Sequence, residues 1–253
     1  MAGIEYSKLF NEKALPLGGN SGNFNGLFER IYNIINYIER CIFVYFDELP
    51  EFKRTVLEVL RQPMEERRVT ISRAKMTIDY PAAFMLIAAM NPCPCGYYNH
   101  PTIECTCPAG AVKRYLNKVS GPLMDRIDIH IEVTPVPVSQ LNREEKTESS
   151  AAIRERVIAA RAIQTERFKN TVGVHCNAQM GSKLTRQFCV LTDECRAIME
   201  QAMNRLGLSA RAYDRILRVS RTIADLEAAP DINPDHLREA ITYRSLDRDN
   251  WGR

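Results

Sequence analysis

The segment Cys41-Ile-Phe-Val-Tyr-Phe46, followed at once by Asp47-Glu48, decides how the rest of the chain reads. It is a continuous apolar run rich in β-branched and aromatic residues. Its length suits a strand buried on both faces of a parallel sheet. Two consecutive carboxylates at its end place acids at the carboxyl edge of the sheet, where α/β proteins bind ligands. That is the Walker B arrangement. The first acid, Asp47, would hold Mg²⁺, usually through water, and the second, Glu48, would polarise an attacking water. Taken alone, a strand entering a solvated turn is the commoner reading of the same residues.

Working outward, Gly18-Gly-Asn-Ser-Gly-Asn23 is a loop signal, and Phe28, Ile31, Ile34, Ile35 and Ile38 recur at helical spacing over 26–39. Residues 53–62 read as a helix with Val56, Leu57, Val59 and Leu60 on its apolar face and Pro63 at its end. Val69–Ile78 alternates apolar and polar on both sides of Arg73-Ala-Lys75, a hairpin with a basic tip. Ala83–Met90 is a second buried strand, and Asn91 at its end would orient a water near a γ-phosphate, although Asn-Pro also opens ordinary turns. Residues 111–118 read as a helix and Ile127–Val133 as a third strand. Between them lies Ser120-Gly-Pro-Leu-Met-Asp-Arg-Ile-Asp128. Its Arg126 would reach a neighbour's phosphates, or else form a surface pair with Asp125.

Thr134-Pro-Val-Pro-Val138 and the polar stretch to Ser150 mark a linker. Beyond it the pattern is helical. Ser149 or Ser150 caps a helix to about Phe168, Thr192 one that stops at Gly207, and Ser209 one to about Leu226; Asn233-Pro234 opens a fourth. Arg211, at the start of the third, would approach a phosphate or sit on a solvated face. The expected organisation is an unassigned segment 1–40, an α/β core 41–135, a linker 136–150 and a helical domain 151–253.

Four of the eight cysteines fall together, as Cys93-Pro-Cys95 and Cys105-Thr-Cys107. In a reducing compartment such clustering suggests metal before disulfide. Four thiolates can close a tetrahedral structural Zn²⁺ site, and the turn residues 96–101 would fold the pairs together. Four free thiols, or three ligands with His100, are the alternatives. Cys41, Cys176, Cys189 and Cys195 read as separate buried thiols. His130, His175 and His236 read as core or surface residues, and Trp251 is undecided.

Hydrophobic residues at 45% and charged residues at 26% match a globular chain and argue against wholesale disorder. A net charge of +3 permits nucleic-acid binding without requiring it. No apolar run approaches the ~18–20 residues that span a bilayer, and no secretory signal opens the sequence, so a cytoplasmic protein without membrane partners is expected.

The motifs in this order resemble one family. Phe46-Asp-Glu-Leu-Pro-Glu-Phe-Lys-Arg54, Val56-Leu-Glu-Val-Leu-Arg-Gln-Pro63, Val69-Thr-Ile-Ser-Arg-Ala74 and Ala88-Ala-Met-Asn-Pro-Cys-Pro-Cys-Gly-Tyr97 are similar to Mg-chelatase-like AAA+ ATPases of the ComM/YifB type. Ser120–Asp128, Ser209–Arg218 and Ser220–Leu226 continue the match, over roughly 42–246. The resemblance implies an α/β fold: a three-layer parallel-sheet ATPase core, truncated at its N-terminal side, followed by a small all-helical lid. It implies ATP and Mg²⁺ as cofactors, with Asp47 and Glu48 as Walker B, Asn91 as sensor 1, Arg126 as arginine finger and Arg211 as sensor 2. It implies a homo-oligomeric ring, commonly a hexamer, that acts as a helicase on DNA in branch migration and natural transformation. The 69–78 hairpin would point into the pore, with Arg67, Arg68, Arg73 and Lys75 on DNA phosphates.

One departure stands out. No Gly-x-x-x-x-Gly-Lys-Ser/Thr occurs in the sequence. The amides and lysine of that loop supply most of the phosphate grip, so the expectation is weak ATP binding by this chain alone. Two other functions are weighed against the DNA motor. A metal-chelatase ATPase subunit is less favoured by Asn91-Pro-Cys-Pro-Cys-Gly96. A non-catalytic interaction module would lend Arg126 to a neighbour or do nothing.

Overall fold

The computed structural model describes residues 43–73, 76–133 and 148–244. The expected helix over 26–39, the loop 18–23, Cys41, Lys75, Trp251 and most of the linker lie outside them. The chain divides into two compact units, one ending at Arg126 and one beginning at Ile127.

In the first unit the apolar run before Asp47-Glu48 forms β1 (Phe43–Phe46). It pairs in parallel with β4 (Met85–Ala88), in the register Phe43 with Met85 through Phe46 with Ala88. Ala83–Met90 therefore contributes a shorter strand than its apolar run predicts, and the pair is not buried on both faces as expected: Tyr45, Met85 and Ile87 are 42%, 54% and 42% exposed, because no further strand or helix covers them among the described residues. Between them in sequence, β2 (Arg68–Arg73) and β3 (Met76–Pro81) form the expected antiparallel hairpin, with Arg73 opposite Met76 at the described tip. Val69 and Ala82 are buried beneath it, with Ile71 and Tyr80 packed against them. Cross-strand hydroxyls bond on the hairpin as well: Thr70 Oγ1 donates to Asp79 Oδ1 at 2.6 Å, and Ser72 and Thr77 lie 3.1 Å apart.

The helix expected over 53–62 is two, α1 (Arg54–Val59) and α2 (Arg61–Glu66). Pro63 does not end the first; it sits buried in the first turn of the second. A proline is tolerated there because its missing N–H would have had no helical partner. Helices α3 (Ala111–Leu116) and α4 (Gly121–Met124) follow, α4 capped by the Ser120 hydroxyl, which accepts from Leu123 N. Leu57, Leu116, Val119 and Leu123 are all at most 5% exposed.

Ile127–Val133 is not a third strand. Alternation alone does not make a strand; a ladder is needed, and here the backbone bonds from His130 N to Tyr243 O at 2.9 Å without forming one. The segment belongs to the second unit, where the Arg244 guanidinium also donates to the Ile127 carbonyl.

That second unit is helical: α5 (Ser150–Phe168), α6 (Ser182–Phe188), α7 (Asp193–Leu206), α8 (Ala210–Leu226) and α9 (Pro234–Thr242). The four predicted caps hold. The hydroxyls of Ser149, Thr192 and Ser209 accept from Ala152, Cys195 and Ala212 N, and Asn233 forms a capping box with His236. Gly207 ends α7 at φ 59°, a conformation glycine adopts without penalty. Helix α6 was not expected; Gly181 before it offers no side-chain cap. Phe168, Cys195, Met199, Ile216, Leu217 and Leu237 form the core. Among the described residues no helix is long and apolar enough to cross a membrane.

Candidate functional site

Parallel pairing in register brings the ends of β1 and β4 side by side. The ladder continues one step beyond both strands: Ala89 N donates to Phe46 O at 2.8 Å, and Leu49 N to Ala89 O at 3.0 Å. Asp47 and Glu48 therefore leave β1 at the same edge where Met90 and Asn91 leave β4. All three predicted site residues, Asp47, Glu48 and Asn91, are exposed there. Oxygen donors at such an edge suit Mg²⁺ and an attacking water.

Glu48 takes up a left-handed backbone, φ 50° and ψ 51°. A residue with a Cβ adopts this at a cost of order 1–3 kcal/mol, and such residues concentrate at functional sites. Its amide is held by Asp47 Oδ1 at 3.0 Å. The turn then locks through Glu51 N to Glu48 O at 2.8 Å. Leu49 and Pro50 anchor it from below, both buried.

Tyr115 of α3, which sequence reasoning treats as part of a helix, sits at the same edge and is 6% exposed. Burial pushes its hydroxyl pKa up, and the Glu51 and Glu48 carboxylates and Cys93 add to that. The Asn91 backbone opposes the shift. Lys118 Nζ lies 5.5 Å from the Tyr115 ring centroid and donates to Glu51 Oε1 at 3.3 Å. No local signal in the sequence marks Tyr115; its role comes from the fold around it.

Arg126 is not on the surface, and its partner is not Asp125. Its side chain is 8% exposed. Nε donates to Glu65 Oε2 at 2.9 Å, Nη2 donates to the same oxygen, and Nη1 donates to Pro122 O at 2.7 Å. Nothing near Arg126 in the sequence points to Glu65, on α2. To reach a neighbour's phosphate this guanidinium would have to exchange Glu65 for it. Arg211 lies at the second position of α8 in the other unit and is exposed.

Of the four residues expected on nucleic acid, Arg67 closes α2 in a left-handed conformation, φ 56°. Arg68 begins β2 and pairs with Glu66 Oε2 at 3.2 Å and Asp79 Oδ2 at 3.3 Å, all three exposed. Arg73 ends β2, and Lys75 lies outside the described residues.

The cysteine pairs do come together. Cys93 and Cys95 Sγ are 3.3 Å apart, Cys95 and Cys105 3.5 Å, Cys93 and Cys105 3.8 Å. All four sulfurs lie within 4.8 Å of one another. A tetrahedron of ~2.3 Å Zn–S bonds has S···S edges of about 3.8 Å, so the spacing suits one ion. The Tyr97 amide draws the Cys95 thiol pKa down to about 5, against the effect of burial, with the neighbouring sulfurs assisting. The Cys95 amide favours the Cys107 thiolate, but burial and the three other sulfurs push it up to about 12. His100 is not in the group. Its Nδ1 accepts from Thr102 N at 3.2 Å and Ile103 N at 3.1 Å, which shapes the turn.

Residues 39–141 match the family described as magnesium chelatase, subunit ChlI, and residues 147–244 match its C-terminal family. The competence protein ComM of Haemophilus influenzae is 47% identical over 206 residues, covering 81% of this chain and 39% of that protein. The uncharacterized protein YifB of Escherichia coli is 43% identical over the same length and the same shares. The chain belongs to the Mg-chelatase-like ComM/YifB family. It spans about two fifths of the length of these relatives. The mixed α/β first unit with its small parallel sheet, followed by a helical unit, is consistent with the Mg-chelatase-like AAA+ fold of that family.

Proposed function

We propose that this chain is the part of an ATP-driven ring motor that runs from Walker B through the helical lid, and that the motor acts on DNA. The observation that carries the reading is the alignment of Asp47, Glu48 and Asn91 at one edge of the β1–β4 pair. Asp47 would hold Mg²⁺ on ATP, Glu48 would polarise the attacking water, and Asn91 would orient it. Arg126 would serve the site of the next subunit in a homo-oligomeric, hexameric ring, and Arg211 would approach the nucleotide from the lid. Arg67, Arg68, Arg73 and Lys75 would contact DNA phosphates from the hairpin. The four cysteines would hold a structural Zn²⁺, without a catalytic role, since four thiolates leave no open position. Branch migration in the cytoplasm during natural transformation is the corresponding task, and the name competence protein borne by the ComM relative supports it over metal chelation.

The test is Mg-ATP turnover by this chain mixed with a full-length family partner, with and without DNA. DNA-stimulated turnover that falls at least ~100-fold with Glu48→Gln, and falls again with Arg126→Ala, is the expected result. Turnover indifferent to both substitutions would sink the proposal. The chain alone is expected to bind ATP weakly, since its sequence holds no Gly-x-x-x-x-Gly-Lys-Ser/Thr.

A further inference from the structure

Arg126 is the last residue of the first unit, and the peptide bond after it leads straight into the second. Both sides of that bond are anchored. On the near side the guanidinium donates to Glu65 Oε2, from Nε at 2.9 Å and from Nη2, and to Pro122 O at 2.7 Å. On the far side three contacts fasten Ile127, Asp128 and His130 within the helical unit. Arg215 Nη1 donates to Asp128 Oδ1, Arg244 Nη1 donates to Ile127 O, and His130 N donates to Tyr243 O at 2.9 Å. Two of the three are charge-assisted, the stronger kind of hydrogen bond. The Arg215 side chain is 11% exposed and Arg244 1%, so water competes little for either guanidinium. The stretch that reads as a linker, from Thr134, comes later in the chain, so it places no slack between Arg126 and these contacts.

We infer that Asp128 and Arg215 are a positioning pair for Arg126: they hold the chain that follows it, so that its guanidinium can leave Glu65 for a phosphate. The inference rests on the reading of Arg126 as a group that serves the next subunit's nucleotide, and it adds what lets that group go. Glu65 and the phosphate are competing anions for one guanidinium. With the following residues loose, the backbone of Arg126 relaxes toward the Glu65 pair and the guanidinium stays there. With Ile127 and Asp128 fastened, that backbone is held from the other side, and the exchange requires no further ordering of the chain. Arg215 lies four residues beyond Arg211 on α8, so the two are neighbours on that helix. The helix that would approach a nucleotide through Arg211 thus also holds, through Arg215, the residues that follow Arg126.

The experiment pairs the 253-residue chain with a full-length family partner whose own arginine at the position of Arg126 is replaced by alanine, so that DNA-stimulated Mg-ATP turnover depends on Arg126. Arg126→Ala is expected to abolish that turnover. Arg215→Ala should lower kcat about tenfold and keep KM for ATP within about twofold, because positioning is lost and nucleotide binding is not. Glu65→Gln added to Arg215→Ala should bring kcat back to within about threefold of the unaltered chain, since the competing anion is gone. A residue that merely stabilises the helical unit would not be rescued by a change on α2. Asp128→Asn, at the more exposed partner of the pair, should repeat the loss and the rescue where Arg215→Ala weakens the fold. No turnover with the unaltered chain, or turnover that survives Arg126→Ala, would overturn the reading of Arg126 and this inference with it. Turnover that needs Arg126 but is indifferent to Arg215→Ala and Asp128→Asn, or that Glu65→Gln does not rescue, would overturn this inference alone.

Discussion

Two groups of charged side chains in this molecule are treated in opposite ways. At the β1–β4 edge, Asp47 and Glu48 stand exposed, held by backbone geometry. In the helical unit, Asp225 is 1% exposed and enclosed. Arg167 donates to both of its oxygens, at 2.6 and 2.5 Å, and Asn177 Nδ2 and Arg221 Nε add bonds of 2.7 and 3.1 Å. Arg221 also donates to the Pro230 and Ala229 carbonyls, at 2.8 and 2.6 Å. Every polar atom of that carboxylate is spoken for, so it joins α5, α8 and the turn at 177–179 but has nothing left for a ligand. The strand edge has the reverse character: Asp47 bonds locally to the Glu48 amide, both acids are exposed, and the Glu48 backbone is left-handed. Burial with full pairing marks architecture, whereas the exposed acids at the edge remain open to the ligand proposed for them.

The largest expected effect tests the enclosed group. Asp225→Ala leaves the buried Arg221 and the part-buried Arg167 without their anion and should destabilise the helical unit by about 3–5 kcal/mol, read from chemical denaturation. A loss below about 1 kcal/mol would break the contrast. The same group sets a pH dependence. Burial raises the Asp225 pKa, but the Arg167 and Asn177 bonds and the Arg charges outweigh it and hold the pKa below its usual value. A depressed carboxyl contributes stability above its unfolded value of about 4, and that contribution is lost as pH falls through the folded value. Melting temperature should therefore drop at acid pH, and Asp225→Asn should flatten that part of the curve.

A middle-sized effect sharpens the other side. Glu48→Gly relieves a left-handed backbone and should raise the stability of the first unit by up to about 1 kcal/mol while abolishing DNA-stimulated turnover with the partner. Lower stability would mean that Glu48 is architectural after all. Asn233→Ala removes both capping bonds of α9 and should cost about 1 kcal/mol in the denaturation of the helical unit. Smallest is Arg68→Ala. Its ion pairs are exposed, so stability should move by less than about 0.5 kcal/mol. The salt slope of DNA binding, measured by fluorescence anisotropy, should nonetheless fall by about 1.

The sequence was most informative where structure is set locally. Cap residues and Gly207 placed four helices of the second unit, because caps act on amides two or three residues away. The apolar run before Asp47 placed β1 and the matching run placed β4, although the burial expected of both was not found. What failed needed partners distant in the chain. Ile127–Val133 alternates like a strand, but the described residues include no ladder for it. Pro63 signals a helix end, but which helix it belongs to depends on Leu60 closing one turn and starting the next. In the site, Asp47, Glu48 and Asn91 were legible because strand ends converge in parallel sheets. The clustering of the cysteines was legible from their spacing. Glu65 was not, since a glutamate on a charged helix has no signature until the fold supplies Arg126.

The cysteine cluster also makes a practical place to open the chain. Residues 96–104 leave and return at one point, since the flanking sulfurs converge within 4.8 Å. A segment pinned at both ends can grow outward without moving what it is pinned to. Doubling its length would cost only about 0.6 kcal/mol of closure entropy. A tetracysteine-free peptide tag or small reporter domain inserted after Asn99, already at φ 60° in an exposed turn, would sit beside the strand edge and leave its geometry intact.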